Sequence, residues 1–257
     1  MRQYLHEILK RKDLMGYLVV SGLKAQHRNS YLGYFWWLLD PLLGVGIYYF
    51  LVVEVLKRGS EGYGGYLVVG MVAWRWLSST VSAAARSISS QAGIVSKVYL
   101  PKAIFPFCTA VSQLINFLFG LLLIAAYLLY ACIMPGASIF WLPFIMLVQF
   151  LLLLAISLIV AYASVFVKDI DNALRHVLRL WFYGSPVIWE PGRLKGYEWL
   201  LNANPMSAVL ASYRSVFLNT GSPLFRQLAV TGAVSLLLIV FLLNYYSRNE
   251  HKIIKVL

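Results

Sequence analysis

Five long apolar runs restrict what this chain can fold into. They are continuous stretches of about 20 residues or more, at approximately 34–56, 66–85, 107–133, 139–166 and 228–246. A helix needs about 20 apolar residues to cross a bilayer, and unbroken runs favour helices over the alternating strands of a membrane barrel. Only 12% of the residues are charged and 60% are hydrophobic, which excludes an ordinary soluble domain. The sequence therefore predicts an all-α integral membrane protein, in which residues 1–257 form a single transmembrane domain.

Gly184 and Pro186 interrupt a sixth apolar run before it reaches the ~20 residues needed for a straight crossing. A second half-length run follows from Met206 to Phe217. Broken helices survive at membrane depth only where their freed backbone groups are buried in protein or face a water-filled cavity. We therefore predict six transmembrane helices within 33–246, with re-entrant half-helices at about 187–222, before the last span.

The amino-terminal residues 1–32 combine several basic side chains with apolar residues at helical spacing. This pattern predicts an amphipathic helix that lies in the membrane interface, and it lacks the cleavage site of a signal peptide. Most of the 22 Lys and Arg residues fall on this segment, two loops and the tail at 247–257. Basic residues collect on the cytoplasmic side, so we expect both termini there, and the net charge of +12 does not predict a nucleic-acid partner.

Charged residues in and near the spans leave alternatives open. Asp40, which precedes Pro41, either caps a kinked helix or serves as a functional carboxylate. Arg75 is costly in lipid, so it lies near the outer interface or faces a polar interior. The charged segment 167–179 is predicted to be a cytoplasmic loop with His176 in solvent, and the next span starts near its end.

The chain contains no G-x-x-x-x-G-K-[ST] loop, which ATP-driven proteins use to hold phosphates. The nearest match, at Gly16–Lys24, has the wrong spacing. The four His residues are scattered outside the spans and form no metal-ligand or catalytic pattern. We therefore expect no catalytic, cofactor or metal site in this chain, and any ATP must be bound by a partner.

Four motifs occur in order along the chain. They are SGLKAQHRNSYLGYFWWLLDPLL, IVSKVYLPKAIFP, VFVKDI, and SPVIW followed by NPMSAVLASYR. Together they resemble the membrane subunit of bacterial polysaccharide and polyol-phosphate exporters, which are type-2 permeases of ATP-binding-cassette (ABC) transporters. The resemblance extends over almost the whole chain, and the length and basic start are similar to those of O-antigen and capsule exporters.

This resemblance implies a homodimer in the cytoplasmic (inner) membrane, with one ABC ATPase subunit docked beneath each half. The ATPase would hold ATP and Mg²⁺, and the cargo would be a lipid-linked polysaccharide such as O antigen, capsule or a teichoic-acid-type polymer. The loops that resemble ATPase-coupling contacts carry Lys97, Val98, Tyr99, Pro101, Lys102, Lys168 and Asp169. The half-helices that resemble an outer gate carry Pro186, Trp189, Asn204, Pro205, Tyr213 and Arg214.

A glycan conduit needs aromatic rings and small polar groups that allow sliding, because sugars present apolar C–H faces and many hydroxyls. The aromatic candidates are Tyr48, Tyr49, Trp74, Tyr127, Tyr162, Trp181 and Tyr183. The same residue types also anchor helices at membrane interfaces. Arg28 either meets the diphosphate of a lipid carrier or contacts ordinary membrane lipid.

Two other functions remain open from the sequence. A type-2 ABC permease for a small lipophilic compound has the same architecture. An ion-coupled secondary transporter needs intramembrane carboxylates that titrate, and Asp40 and Glu54 are the candidates.

Overall fold

The computed structural model describes residues 2–26, 31, 33–57, 59–60, 62–95, 100–193, 196 and 198–256. The secondary structure of this part consists of α-helices and short 3₁₀ or π-helical segments, which confirms the predicted all-α fold. The α-helices in chain order are α1 Arg2–Lys10, α2 Lys12–Gln26, α3 Trp36–Tyr49, α4 Tyr63–Ser87, α5 Ala92–Val95, α6 Ile104–Tyr130, α7 Leu142–Phe166, α8 Ile170–Gly184, α9 Glu198–Ala203, α10 Pro205–Leu218 and α11 Phe225–Val256.

Five helical stretches of the described residues are long and apolar enough to cross a membrane. They are Trp36–Val55, Tyr63–Ser87, Ile104–Tyr130, Ala137–Phe166 and Phe225–Ile253. These stretches match the five long apolar runs of the sequence. The first continues α3 into a π-helical segment, Phe50–Val55. The last extends beyond its predicted end because the charged tail continues as part of α11.

Helix α4 lies at the centre of the bundle. It packs antiparallel to α3, since Asp40 pairs with Arg75 and Gly44 faces Met71 one turn further on. It packs on α6 and α7 as well, and residues of these helices form the larger apolar core. The α3–α4 and α6–α7 connections therefore lie at one end of the bundle. We call the other end, where α1 meets the last turns of α11, the terminal end.

Helices α7 and α11 run parallel to each other. Val148 of α7 faces Gly232 of α11. Further along both helices, Tyr246 of α11 donates a hydrogen bond to the carbonyl of Leu158 of α7 at 2.8 Å. The chain leaves α7 near the terminal end and must return to the opposite end before α11 begins. Helix α8 provides the first part of this return.

Helix α8 corrects the prediction of a loop at 167–179. One continuous helix runs from Ile170 to Gly184, antiparallel to α4, with Asp171 on Arg86 at 3.2 Å and Trp181 against Trp74. Its charged residues occupy one face and its apolar residues the other, so they do not interrupt the helix. With 15 residues at 1.5 Å each, α8 is about 22 Å long, less than the ~30 Å of the hydrocarbon core.

The amino-terminal segment forms two helices, α1 and α2, instead of the single predicted one. Helix α2 lies along α6, where Gly22 faces Ser112. Tyr4 of α1 is buried in a second apolar cluster at the terminal end, together with Leu100, Leu158 and Ile253. The start of the chain is therefore packed on the bundle, and its location in a membrane interface stays a prediction.

Candidate functional site

The break after α8 exposes a run of backbone carbonyls that no helix satisfies. Helix α8 ends at Gly184, and Ser185 has extended backbone angles, φ −106° and ψ 147°. Pro186 lacks a backbone N–H and fixes its own φ, so the helix cannot continue through it. The carbonyls of residues 186–189 therefore need partners from elsewhere in the chain.

Arg214 of α10 supplies partners for two of these carbonyls. Its side chain donates to Pro186 O at 2.7 Å, to Val187 O at 3.1 Å and to Tyr66 O of α4 at 3.3 Å. The guanidinium carbon also lies 3.3 Å from the ring centroid of Tyr66. Arg214 is only 5% exposed, so it acts as an internal clamp between the broken segment, α4 and α10. The guanidinium of Arg214 can approach α4 this closely because residue 70 is glycine; a Cβ at Gly70 would lie 2.5 Å from Arg214 Nη2.

Two tyrosines at the start of α4 satisfy the remaining carbonyls. Tyr63 donates its hydroxyl hydrogen to Ile188 O at 2.6 Å, and Tyr66 donates its hydroxyl hydrogen to Trp189 O at 2.6 Å, with Pro186 O 3.1 Å from the same hydroxyl. Every carbonyl from 186 to 189 thus accepts a hydrogen bond from a side chain of another helix. This is the condition under which extended backbone is stable at membrane depth.

Asn204 joins the end of α8 to the start of α10. It caps α10 by accepting the backbone N–H of Met206 at 3.1 Å, and it accepts the indole N–H of Trp181 at 3.0 Å. Its amide also donates to Ser185 Oγ at 2.8 Å and to Gly184 O at 3.3 Å. The predicted gate residues Asn204, Pro205, Pro186 and Arg214 are therefore in one connected region.

The segment from Glu190 to Asn219 starts and finishes at the same end of the bundle. Glu190 accepts a hydrogen bond from Ser60 in the α3–α4 connection. Asn219 accepts from Gly136 N and donates to Met134 O, both at 2.8 Å, in the α6–α7 connection. Helices α9 and α10 lie within this hairpin, and α10 is almost entirely buried.

The exposed face of α8 carries a polar stripe. It consists of Asn172, Arg175, His176, Arg179 and Tyr183, all of which are exposed and lie on successive turns. The opposite face buries apolar side chains against α4. A helix of this kind cannot present its polar side to lipid hydrocarbon without a large cost, since each exposed arginine there is unfavourable by several kcal/mol.

The predicted conduit aromatics separate into two groups. Tyr49 and Tyr127 line an open groove of about 600 Å³ with Tyr63 and Tyr130, at the end of the bundle opposite the termini. Tyr48 lies near Tyr183 of the polar stripe of α8. These residues are accessible to a ligand.

The other aromatics act mainly in packing. Trp74 is buried edge-on against Trp181 and has little exposed surface in this chain, and its conduit role stays a prediction. Tyr162 packs between α7 and α11, against Tyr246. Tyr213, which was predicted as part of the outer gate, is buried against Phe117.

The residues predicted to couple to an ATPase have different positions. Lys97, Val98, Tyr99 and the carrier-binding candidate Arg28 lie outside the described residues. Lys168 and Asp169 are exposed at the start of α8.

Lys102 is completely buried, and Pro101 beside it is also buried, so in this chain neither side chain is on the surface; their role in ATPase coupling stays a prediction. The backbone N–H of Lys102 donates to Glu250 Oε2 at 3.4 Å, and the next N–H, of Ala103, donates to Tyr4 Oη at 3.4 Å. Burial lowers the pKa of Lys102, and the carboxylate of Glu250 partly opposes this shift. The end of this loop is thus fixed by α1 and α11.

Sequence reasoning missed Glu250, Tyr4, Tyr63 and Tyr66 as parts of these contacts. A carboxylate in a basic tail and tyrosines at the start of a span are common surface features, so the sequence holds no local signal for them. It also missed that Asp40 pairs with Arg75 at 2.7 Å; Asp40 lies inside α3 and caps no helix end.

Comparison with known proteins supports the resemblance found in the motifs. The profile of the ABC-2 type transporter family matches residues 14–218. The chain is 28% identical over 242 residues to the O-antigen export system permease protein RfbA of Myxococcus xanthus, covering 93% of each chain. It is 24% identical over 247 residues to the O-antigen export system permease protein RfbA of Klebsiella pneumoniae, covering 95% of each.

Proposed function

The chain belongs to the ABC-2 type transporter family, and on this premise we propose that it is the permease subunit of an ATP-driven exporter for polysaccharide. The cargo is a lipid-linked glycan of the O-antigen type. Relatives that match over almost the whole chain carry the name O-antigen export permease, which supports a polysaccharide over a small lipophilic compound.

The polar stripe on α8 is the observation that carries this proposal. A helix that returns across a membrane between two parallel spans cannot expose two arginines, a histidine and an asparagine to lipid. A position in which the stripe faces water satisfies this condition, and in our proposal the stripe lines an aqueous path. Tyr183 and Tyr48, at the end of the stripe away from the terminal end, add aromatic surface on which sugar rings slide.

The stripe also suits the charge of a lipid-linked substrate. Arg175 and Arg179 lie one turn apart, and guanidinium groups bind phosphate oxygens in bidentate geometry. A carrier diphosphate that enters from the terminal end would meet these two side chains first. The neutral glycan that follows would pass the same arginines and then meet the tyrosines further along the stripe.

One copy of the chain provides only one wall of such a path. We propose that two copies face each other across it, in the inner membrane with both termini in the cytoplasm. A separate ABC ATPase would bind at the terminal end, near the exposed Lys168 and Asp169. Nucleotide binding can drive export only by favouring one of two conformations of the pair.

An ion-coupled mechanism has no support from its two candidate carboxylates. Asp40 pairs with Arg75 at 2.7 Å, and Glu54 pairs with Lys57 at 3.2 Å. In the described structure each of these acids is thus held in an ion pair with a basic side chain.

The double variant Arg175→Glu/Arg179→Glu tests the proposed path. We expect glycan export to fall at least about tenfold, because a negative wall repels the carrier phosphates. Both side chains are exposed, so folding should be retained. The measurement is labelled glycan at the cell surface, in cells that express this chain with its ATPase.

The matched control is Arg226→Glu/Arg248→Glu, which makes the same charge change at exposed positions outside α8. This control should export normally. Normal export by the α8 variant, at equal protein level in the membrane, would exclude α8 from the path.

A further inference from the structure

The last helix, α11, is longer than the membrane span that it contains. At its start Phe225 lies against Trp141 of α7, and further along Tyr245 lies against Tyr162 of the same helix. Tryptophan and tyrosine collect at the two membrane interfaces. Both helices advance by about 20 residues between these contacts, or about 30 Å, which is the thickness of the hydrocarbon core. The two aromatic contacts therefore mark the interfaces, and the residues after Tyr245 leave the core at the terminal end.

The end of α11 extends beyond the headgroup layer, which is about 5–7 Å thick on each side of the hydrocarbon core. At 1.5 Å per residue along the helix, the distance beyond Tyr245 is about 4.5 Å at Arg248 and about 10.5 Å at Lys252. It reaches about 15 Å at Lys255. A tilt of about 20°, the average for a membrane helix, shortens these heights by less than about a tenth. Arg248 is thus level with the headgroups, whereas the helix at Lys252 and Lys255 stands in the water beyond them.

This projecting tail is held by one face and exposes the other. Tyr246, Glu250 and Ile253, which are spaced by one turn, are buried against α1 and the residues that precede α6. Lys252 and Lys255 are exposed, and their positions in the sequence place them on the opposite side of the helix. Because the buried face fixes the tail, the two lysines keep a defined position at the terminal end.

The exposed face of the tail is basic. Glu250 is the only acidic residue after Phe225 in the sequence, and it is buried. The ion pairs found between described residues involve neither Lys252 nor Lys255. Like charges one turn apart destabilise a helix, and an acidic surface brought against them would remove that cost. Since the headgroups do not reach this height, the basic face fits an acidic surface on a protein better than it fits lipid.

We propose that Lys252 and Lys255 form a docking surface for an acidic patch on the ABC ATPase subunit. The inference rests on the proposed function, which brings an ATPase to the terminal end. The buried face of the same tail holds the end of the predicted coupling loop, because Glu250 accepts the backbone N–H of Lys102 at 3.4 Å. An ATPase bound to the exposed face is therefore connected through one helix to that loop and to the last membrane span.

The test is binding of the ATPase subunit to the full chain in nanodiscs of neutral phosphatidylcholine, measured by biolayer interferometry at low and high salt. Lys252→Glu/Lys255→Glu should weaken binding at least about tenfold and reduce its salt dependence, because like charges across an interface repel. Lys252→Arg/Lys255→Arg keeps both charges and should bind like the wild type. The matched control Lys57→Glu/Arg226→Glu makes the same charge change at exposed positions at the opposite end of the bundle and should leave binding unchanged.

Equal ATPase binding by the wild type and by Lys252→Glu/Lys255→Glu would overturn the inference. A loss that occurs only in nanodiscs of anionic phosphatidylglycerol would also overturn it, since it would assign the two lysines to the membrane surface. If the ATPase did not bind the wild-type chain at all, the proposed function would fail and this inference with it, so the two failures are distinguishable. Both lysines are exposed, and an unchanged unfolding temperature of the variant checks that its fold is intact.

Discussion

Replacement of Arg214 by methionine is expected to destabilise the protein by about 3–5 kcal/mol and to abolish export. The change removes donors from the carbonyls of Pro186, Val187 and Tyr66, and at the buried Pro186 and Val187 water does not replace the lost donor. For a chain of this size the loss lowers the unfolding temperature by about 10 °C. Thermal unfolding of the purified protein, followed by intrinsic fluorescence, measures the shift.

Arg214→Lys separates the geometry of the clamp from its charge. An ammonium group is a point donor without the planar fork, and it stacks less well on Tyr66, so we expect most of the loss to remain. Gly70→Ala should act in the same direction, because its Cβ would lie 2.5 Å from Arg214 Nη2. The control Arg226→Met alters an exposed arginine and should leave the unfolding temperature unchanged. A stable, active Arg214→Met protein would show that the broken segment does not depend on this clamp.

The second large effect is expected at Lys102 and Glu250. Lys102 is 0% exposed and Glu250 is 7% exposed, so each is buried with the other as its charged neighbour. Lys102→Met leaves a buried carboxylate without its cation, and Glu250→Gln leaves a buried ammonium without its anion. Removal of one partner of a buried pair costs about 3–5 kcal/mol. We expect both single variants to unfold at markedly lower temperature and to lose export.

The double variant Lys102→Met/Glu250→Gln distinguishes a coupled pair from two independent sites. It removes both charges, so its loss of stability should be smaller than the sum of the single losses by about 1–3 kcal/mol. Strictly additive losses would contradict the pairing. The exposed pair Glu54 and Lys57 offers the control, since the corresponding variants there should each change stability by less than about 1 kcal/mol.

The burial of Lys102 also bears on how the predicted ATPase-coupling loop that ends at this residue is tested. Charge reversal at Lys102 would damage the fold, and a loss of export would then say nothing about contact with an ATPase. Exposed residues such as Lys168 and Asp169 are better positions for such a test. The backbone N–H of Lys102 instead connects the end of the loop to Glu250 of α11, 148 residues further along the chain.

The sequence predicted the elements whose signals are local. Continuous apolar runs predicted the five long helices, because hydropathy over about 20 residues is sufficient to identify a membrane span. Gly184 and Pro186 placed the break, since proline cannot continue a helix whatever surrounds it. The ordered motifs placed the chain in its family, which the profile match over residues 14–218 confirms. Charge in the 167–179 segment misled the prediction, because a run of charged residues was taken as a loop instead of one face of α8.

By itself, the sequence determined an all-helical membrane protein, the position of its broken crossing and the family it belongs to. Only the tertiary structure decided which side chains make that break stable and which charged residues are buried. Arg214 donates to the carbonyl of Tyr66, which is 148 residues away along the chain. Whether each carbonyl of the broken segment finds a hydrogen-bond donor depends on how α4, α8 and α10 pack together. Helix periodicity and chain breaks are properties of neighbouring residues, whereas hydrogen-bond partners across the bundle are selected by packing, which local sequence does not encode.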